Sequence, residues 1–393
     1  IAASRRREGT SVALVPPTEW SIDSSVRYLN HGSFGAVPRE VTAAQLSIRE
    51  EMERNPNLFF RSQLPSLVRR ARDRCARELG TVEERLAFVP NASQGVITAA
   101  AAVVRRGSRM VTMASNYGGV VLGLRALAAR ADAELREIAA TPPATATPQS
   151  CVSDVVDQLR DADVLVLDHI VATSAQLNPV ADIARAVRAL RPECFIVVDA
   201  AHAAGQVHPP IPDGVDAWVS NFHKWVAAPR PSAALVAISD RAAGVLEPLA
   251  GSWNSELGFP SSFDTQGTSD LSAYLATPAA FDFLARWPRE QRDRHCRETV
   301  GAAADMLAAA WDVRLPTHPQ LRSPYMRFVP FPGERCLTTE QEQAVVIAAR
   351  QLVGAEIAVT SPGGISGVRL SAFLYNDVTD YERLRDVPSL LPR

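Results

Sequence analysis

The 393-residue chain is 47% hydrophobic and 21% charged, the balance of an ordinary globular protein able to bury a substantial core. Its formal net charge of −2 gives no electrostatic basis for holding nucleic acid or an anionic membrane. No apolar run approaches the roughly 20 residues that span a bilayer, so neither a nucleic-acid nor a membrane partner is expected.

The N-terminal "IAASRRREGTSVALVPP" has an arginine run and an apolar stretch too short for a signal-peptide core, and reads as a frayed tail. "RLAFVP" (85–90) reads as a strand, followed by a helix from Ser93 to about Arg105. "RMVTMA" (109–114) is the next strand and "GVVLGLRALAAR" the next helix. "ELREIA" (134–139), "DVLVLDHI" (163–170), "CFIVVDAA" (194–201), "AWVSN" (217–221) and "SAALVAI" (232–238) continue the strands, with helices near 152–160 and 180–190 between some of them. This alternation predicts an α/β fold around a mainly parallel seven-stranded sheet covered on both faces. Strands 217–221 and 232–238 leave no room for a crossover helix, so one of them is expected to be antiparallel. After "WPREQRDRH" (287–295) the pattern changes to long helices, near 291–311 and 338–352, around short strands such as "YMRFVP" and "GVRLSA". The expected organisation is an N-terminal arm (1–38), a large domain (39–286) and a smaller α+β C-terminal domain (287–393).

The five cysteines (Cys75, Cys151, Cys194, Cys296, Cys336) are odd in number and contain no CxxC. They suit reduced core thiols of a cytosolic protein better than disulfides or a zinc site.

One residue stands out from the composition. Of the 41 Lys+Arg residues, Lys224 is the sole lysine. A desolvated ε-ammonium can lose its proton and attack a carbonyl, whereas a guanidinium stays charged. A Schiff base is therefore the first hypothesis for "NFHKW", weighed against a surface lysine surviving by chance in an arginine-rich chain. In an open α/β sheet, ligands sit at the carboxyl ends of strands, and further clusters fall there. In "VVDAAHAAG", Asp199 closes a hydrophobic strand and His202 follows; such a carboxylate either faces a cation or caps the next segment. The pair has no third local metal ligand, and no metal is expected. In "FVPNASQGV", a strand turns directly into a helix whose Ala92 and Ser93 N–H groups could bind a phosphate, unless Asn91 or Ser93 is merely a cap. Ser220 and His223 flank Lys224, and "TQGTSD" (265–270) is again either an anion site or a cap. Together these clusters describe one ligand with a phosphate, a basic ring nitrogen and an aldehyde. Pyridoxal 5′-phosphate has those groups, and an Asp on its ring nitrogen with a Schiff-base lysine is its usual protein environment.

The sequence also resembles the class V aminotransferase family of fold-type I pyridoxal-phosphate enzymes, and within it the isopenicillin N epimerase-like branch. The resemblance runs from "YLNHGSFGAVP" (28–38) to "GVRLSAFLYND" (367–377), with "LNHGSFGAVP", "DAAHAAG", "NFHKW" and "QGTSD" as its specific parts. It implies that Lys224 carries the Schiff base, that Asp199 holds the ring nitrogen and that His202 lies beside the ring. It further implies that Ala92, Ser93, Ser220 and His223 hold the phosphate, and that Tyr117 stacks on the ring face. Gly267 and Thr268 match residues reaching the neighbouring subunit's cofactor, which implies a homodimer with shared sites. Arg369 matches the arginine that clamps a substrate α-carboxylate, with Asn30 and His31 also on the substrate side.

Two stretches depart from the family pattern. "AAPRPSAAL", with Arg230 and Pro231, replaces a glycine-rich run after the lysine. In "DHIVATSAQLNP", Val171 and Ala172 are apolar, and Thr173 and Ser174 alone keep hydroxyls for the ring's phenolic oxygen. The expectation is a retained cofactor site with a remodelled substrate pocket. The reaction expected is β-elimination or decarboxylation of a cysteine S-conjugate in a specialised biosynthetic pathway, ahead of epimerisation and then transamination. A pyridoxal-phosphate-binding module without turnover is the rival from another class.

Overall fold

The computed structural model describes residues 12–392. After a short strand β1 (Arg27–Tyr28), the chain lays down β2 (Leu86–Val89), β3 (Arg109–Met113), β4 (Glu134–Ile138), β5 (Val164–Asp168), β6 (Phe195–Asp199), β7 (Ala217–Asn221) and β8 (Ala233–Ala237). These seven form one sheet in the order β2-β8-β7-β6-β5-β3-β4. The pairs from β7 through β6, β5 and β3 to β4 are parallel, and β8 runs antiparallel to both β7 and β2. The antiparallel member expected from the short 222–232 connection is therefore β8.

Why these segments are strands is visible in their burial. Strands β5, β6, β7 and β8 are buried at every position, as near-continuous Val/Ile/Leu/Ala runs must be when helices cover both faces. Alternate residues feed opposite cores: Phe195 and Val197 pack on one side, Ile196 and Val198 on the other. Edge strand β4 is mostly polar, with Glu134 and Glu137 exposed and only Ile138 buried.

A second sheet, in the order β11-β12-β9, joins β9 (Met326–Pro330), β11 (Ala358–Thr360) and β12 (Gly367–Ser371) as antiparallel neighbours. It shares its own apolar core with the helix Arg289–Trp311 and the helix Thr339–Ala348. β1 pairs in parallel with β10 (Ala355–Glu356), which ties the N-terminal segment to this part of the molecule.

The frayed-tail expectation needs correcting where the chain is described; residues 1–11 lie outside the described residues. Val15 is buried and its N–H donates to Leu374 O at 3.0 Å, while Trp20 packs edge-on against Phe283 and Tyr375. Apolar burial and one backbone hydrogen bond hold what composition alone read as loose. Cys75, Cys151, Cys194 and Cys296 are buried free thiols, and Cys336 is exposed. Among the described residues no helix is long and apolar enough to cross a membrane.

Candidate active site

Strands β5 and β6 end in Asp168 and Asp199, and Lys224 lies just beyond Asn221 at the end of β7. All three therefore stand at the carboxyl edge of the sheet, where an α/β fold opens its ligand crevice. There, Ala92, Ser93, Tyr117, Asp199, His202, His223, Lys224 and Arg369 line one cavity of about 450 Å³.

The connection that carries Lys224 is clamped from several sides. Its carbonyl contacts His31 Nε2 at 2.9 Å, and His31 in turn stacks on Phe373 and bonds Tyr375 OH at 2.9 Å. Gly35 presses against the same backbone: a Cβ there would sit 2.5 Å from the carbonyl oxygens of His223 and Lys224. Gly205, at φ +90, lies equally close to the Trp225 carbonyl. Arg230 Nη1 donates to Gly35 O at 2.5 Å, so the unusual "AAPRPSAAL" run helps to hold this clamp.

Lys224 is partly buried at the cavity wall, and desolvation followed by the Arg369 charge pulls its pKa down to about 8. Its Nζ lies 3.0 Å from His202 Nε2, while Trp225 Nε1–H donates to His202 Nδ1 over a long 3.4 Å. A His202 that accepts at Nδ1 carries its proton on Nε2 and donates it to a neutral lysine amine. Burial, with Lys224 next in order, keeps this imidazole neutral by pulling its pKa well below the ordinary value. The relay from Trp225 through His202 thus favours the neutral amine of Lys224, the form that attacks a carbonyl, and a pKa of about 8 leaves a fraction of it free at neutral pH.

Asp199 is buried, and one of its oxygens accepts the Ala201 N–H at 3.0 Å. Burial raises its pKa, and the Ala201 amide and Lys224 oppose that. Ala92 starts the helix Ala92–Val103, but its N–H is not free as expected: it donates to Asn221 Oδ1 at 2.8 Å. The Gln94 amide is taken by Asn91 Oδ1, so Ser93 is the residue of this turn left to donate to an anion. His223 bonds Ser232 O through Nδ1 at 3.0 Å, which leaves Nε2 for the cavity. Arg369 is buried with Nη1 donating to Ala172 O at 2.7 Å and Nη2 to Asn30 Oδ1 and Ser33 Oγ; its Nε has no partner. It has no carboxylate partner among the described residues, and desolvation lowers its pKa to about 10.

Several expected contacts are not brought to the cavity. Ser220 faces inward; its Oγ donates to Ala200 O and accepts from Ala204 N–H, which spends the hydroxyl on joining β7 to the turn after β6. Ser174 is buried beside Gln176 and lines a neighbouring cleft with Val171 and Thr173. Asn30 and His31 act one layer behind, on Arg369 and on the Lys224 carbonyl. Gly267 and Thr268 are exposed away from this cavity. Sequence reasoning missed Asp168, Asn221, and the Gly32–Phe34 wall. Asp168 had a signal, since "VLVLD" ends a buried strand just as "FIVVD" does.

These groups fit pyridoxal phosphate: the free amine of Lys224 for its aldehyde, Asp199 for a basic ring nitrogen, and Ser93 with His223 for a phosphate. A parallel α/β sheet presenting such a lysine at its carboxyl edge defines a fold-type I cofactor enzyme. The Aminotransferase class-V family profile matches residues 35–384. The chain therefore belongs to the class V aminotransferase family and is a pyridoxal-phosphate-dependent enzyme. It is 29% identical to a putative L-cysteine desulfhydrase 1 of Oryza sativa subsp. japonica, over 99% of this chain and 88% of that one. It is 26% identical to an isopenicillin N epimerase of Amycolatopsis lactamdurans, over 93% of this chain and 95% of that one. Among solved structures, the cystine C-S lyase C-DES in complex with its product cysteine persulfide superposes with a TM-score of 0.75 at 16% identity, over 94% of this chain and 99% of that one, and supports the fold.

Proposed function

We propose that the enzyme breaks the Cβ–S bond of cysteine or a cysteine S-conjugate by β-elimination, releasing a thiol (sulfide in the case of cysteine) and an enamine that water hydrolyses to pyruvate and ammonia. One observation carries the reading. The cavity holds a buried guanidinium, Arg369, with no carboxylate partner among the described residues, together with a lysine amine whose pKa is about 8. An α-amino acid supplies the missing carboxylate, and a planar fork binds it bidentately. The cofactor, when bound, supplies an electron sink for negative charge developing at the substrate's Cα. Asp199 would favour a protonated ring nitrogen, Ser93 and His223 would hold the phosphate, and Tyr117, on the same cavity wall, would cover the ring. Lys224, freed as an amine, takes the Cα proton, and His202 holds that amine in line. An L-cysteine desulfhydrase of Arabidopsis thaliana and proteins of rice and Arabidopsis named putative or probable L-cysteine desulfhydrases, alike over 94% or more of this chain, support elimination.

Epimerisation is the second reading, and the Amycolatopsis relative supports it. One experiment separates the two. The purified holoenzyme is given cysteine and cysteine S-conjugates in deuterated water, and products are identified by mass spectrometry. Elimination gives pyruvate and a thiol; recovered amino acid of inverted configuration carrying deuterium at Cα would replace it with epimerisation.

The shared-site homodimer belongs to the same proposal. Gly267 and Thr268 are exposed close in sequence to Leu249, Trp253 and Leu257, and Trp253 is 94% exposed. Apolar side chains laid open on the segment thought to reach a partner support an interface there. A Thr268→Val variant should hold its cofactor less tightly without a matching rise in KM. Dimers mixed from Lys224→Ala and Thr268→Val subunits should recover about half of wild-type activity, by the closure of a two-fold interface. The four buried free cysteines support a reducing compartment such as the cytosol.

A further inference from the structure

Asp168 ends β5 directly beside Asp199, its register partner at the end of β6. Paired residues of neighbouring parallel strands send their side chains from the same face, with backbones about 4.8 Å apart. Asp168 is 2% exposed and lines the catalytic cavity, yet neither carboxylate oxygen has a hydrogen-bond partner. Its backbone is firmly held: the N–H donates to Asn116 Oδ1 at 3.3 Å and the carbonyl accepts from Asn178 Nδ2 at 2.8 Å. The carboxyl group is faced by Asp199 from β6, by Lys224 from the β7–β8 connection and by the Tyr117 N–H, which approaches without hydrogen-bond geometry. The adjacent His169 is buried and kept neutral, its pKa pulled down by burial to about 4.

Two carboxylates this close and this dry do not both ionise. Asp199 has the Ala201 N–H in hydrogen-bond geometry to stabilise a charge, whereas the Tyr117 N–H, which opposes the rise at Asp168, lies outside that geometry. Burial, and after it the Asp199 charge, push the Asp168 carboxyl far above the ordinary carboxylate range. The unpartnered oxygens are costly as a carboxylate and much less so as an acid whose O–H has an acceptor next door.

We infer that Asp168 and Asp199 share one proton, with Asp168 the neutral member whose O–H holds the Asp199 carboxylate in place for the cofactor's ring nitrogen. Asp168 is then a positioning residue that acts through Asp199. The inference rests on the reading of Asp199 given above.

The test has one arm without cofactor and one with it. In apoprotein at neutral pH, the infrared difference between wild type and Asp168→Asn should show the carbonyl band of a protonated carboxylic acid in the wild type. A missing band overturns the shared proton. Apoprotein is then titrated with pyridoxal phosphate, followed by tryptophan fluorescence. Asp168→Ala should lose about tenfold in affinity, the worth of one hydrogen bond to a charged group. Asp168→Asn, whose amide still donates, should stay within about threefold of wild type. Equal losses in both variants would make Asp168 a charged group, and no loss in either would remove its positioning role; both results overturn the inference. The infrared arm needs no Ala variant, so poor folding of Asp168→Ala leaves the test intact. An Asp199→Asn protein with wild-type cofactor affinity would break the Asp199 reading itself, which the infrared band does not depend on.

Discussion

Two buried aspartates mark the two ends of the same sheet, and their surroundings are opposite. Asp216, 1% exposed, lies just before β7 at the amino edge of the parallel strands. Its oxygens accept from the Ile196 N–H at 2.8 Å, from Ser239 Oγ at 2.7 Å, and from the guanidinium groups of Arg188 and Arg241. Although burial alone would raise its pKa, these donors together hold it below the usual carboxylate value. Asp168, at the carboxyl edge, is nearly as buried and has no partner for either oxygen. A polar group satisfied entirely by its own chain stitches the fold together. One left unsatisfied beside a cavity has its partner supplied from outside or by a change of protonation.

The comparison can be broken at either end, and the largest effect is expected at the carboxyl edge. Lys224→Ala should abolish turnover by several orders of magnitude, because the amine that would bind the cofactor and take the proton is gone. Borohydride treatment of wild type should fix cofactor mass on the peptide containing Lys224, unambiguously since the chain has no other lysine. A wild-type protein that acquires no such mass would sink the lysine's role.

At the amino edge the loss should appear as stability rather than chemistry. Asp216→Ala leaves Arg188 without its carboxylate and Arg241 with only the more distant, exposed Glu193, and should cost about 3 kcal/mol in urea unfolding. Whatever folds should bind pyridoxal phosphate as wild type does. A variant of normal stability but impaired cofactor binding would reverse the assignment of the two ends.

Arg369→Lys keeps the charge but loses the bidentate fork, so KM should rise by roughly ten- to a hundredfold, about 1.5–3 kcal/mol. The visible spectrum of the holoenzyme should stay unchanged, and an altered spectrum with unchanged KM would move Arg369 from the substrate to the cofactor.

The smallest effect is a pH dependence. Lys224 has its folded pKa lowered from 10.5 to about 8. Below about 8 it is protonated in both folded and unfolded chains, and between about 8 and 10.5 the folded protein alone loses the proton. Its contribution to apoprotein stability therefore rises across that window. The rate of covalent cofactor loading should rise as pH passes through about 8 and then level off. A loading rate flat from pH 6 to 9 would show that the amine is already free at neutral pH, as a stronger His202 donor would make it.

The sequence alone was enough to place the strands and the lysine. Buried strands of a covered parallel sheet must be continuous apolar runs, so "VLVLD", "FIVVD" and "AWVSN" announced themselves, and their ends located the crevice. A lone lysine among arginines needed no contacts to be singled out, because the difference between amine and guanidinium is chemical. What the tertiary structure decided is which polar atoms were already spent. Ser220 and the Ala92 N–H have the right chemistry at the right place in the chain, and both are consumed by internal hydrogen bonds to Ala200, Ala204 and Asn221. Asn30 and His31 sit far from the lysine in sequence and prove to hold Arg369 and the Lys224 backbone from behind. Asp168 and Asp216 are both aspartates buried beside the sheet, and composition cannot tell them apart. Hydrogen-bond satisfaction depends on distances between residues remote in the chain, and local sequence does not carry that quantity.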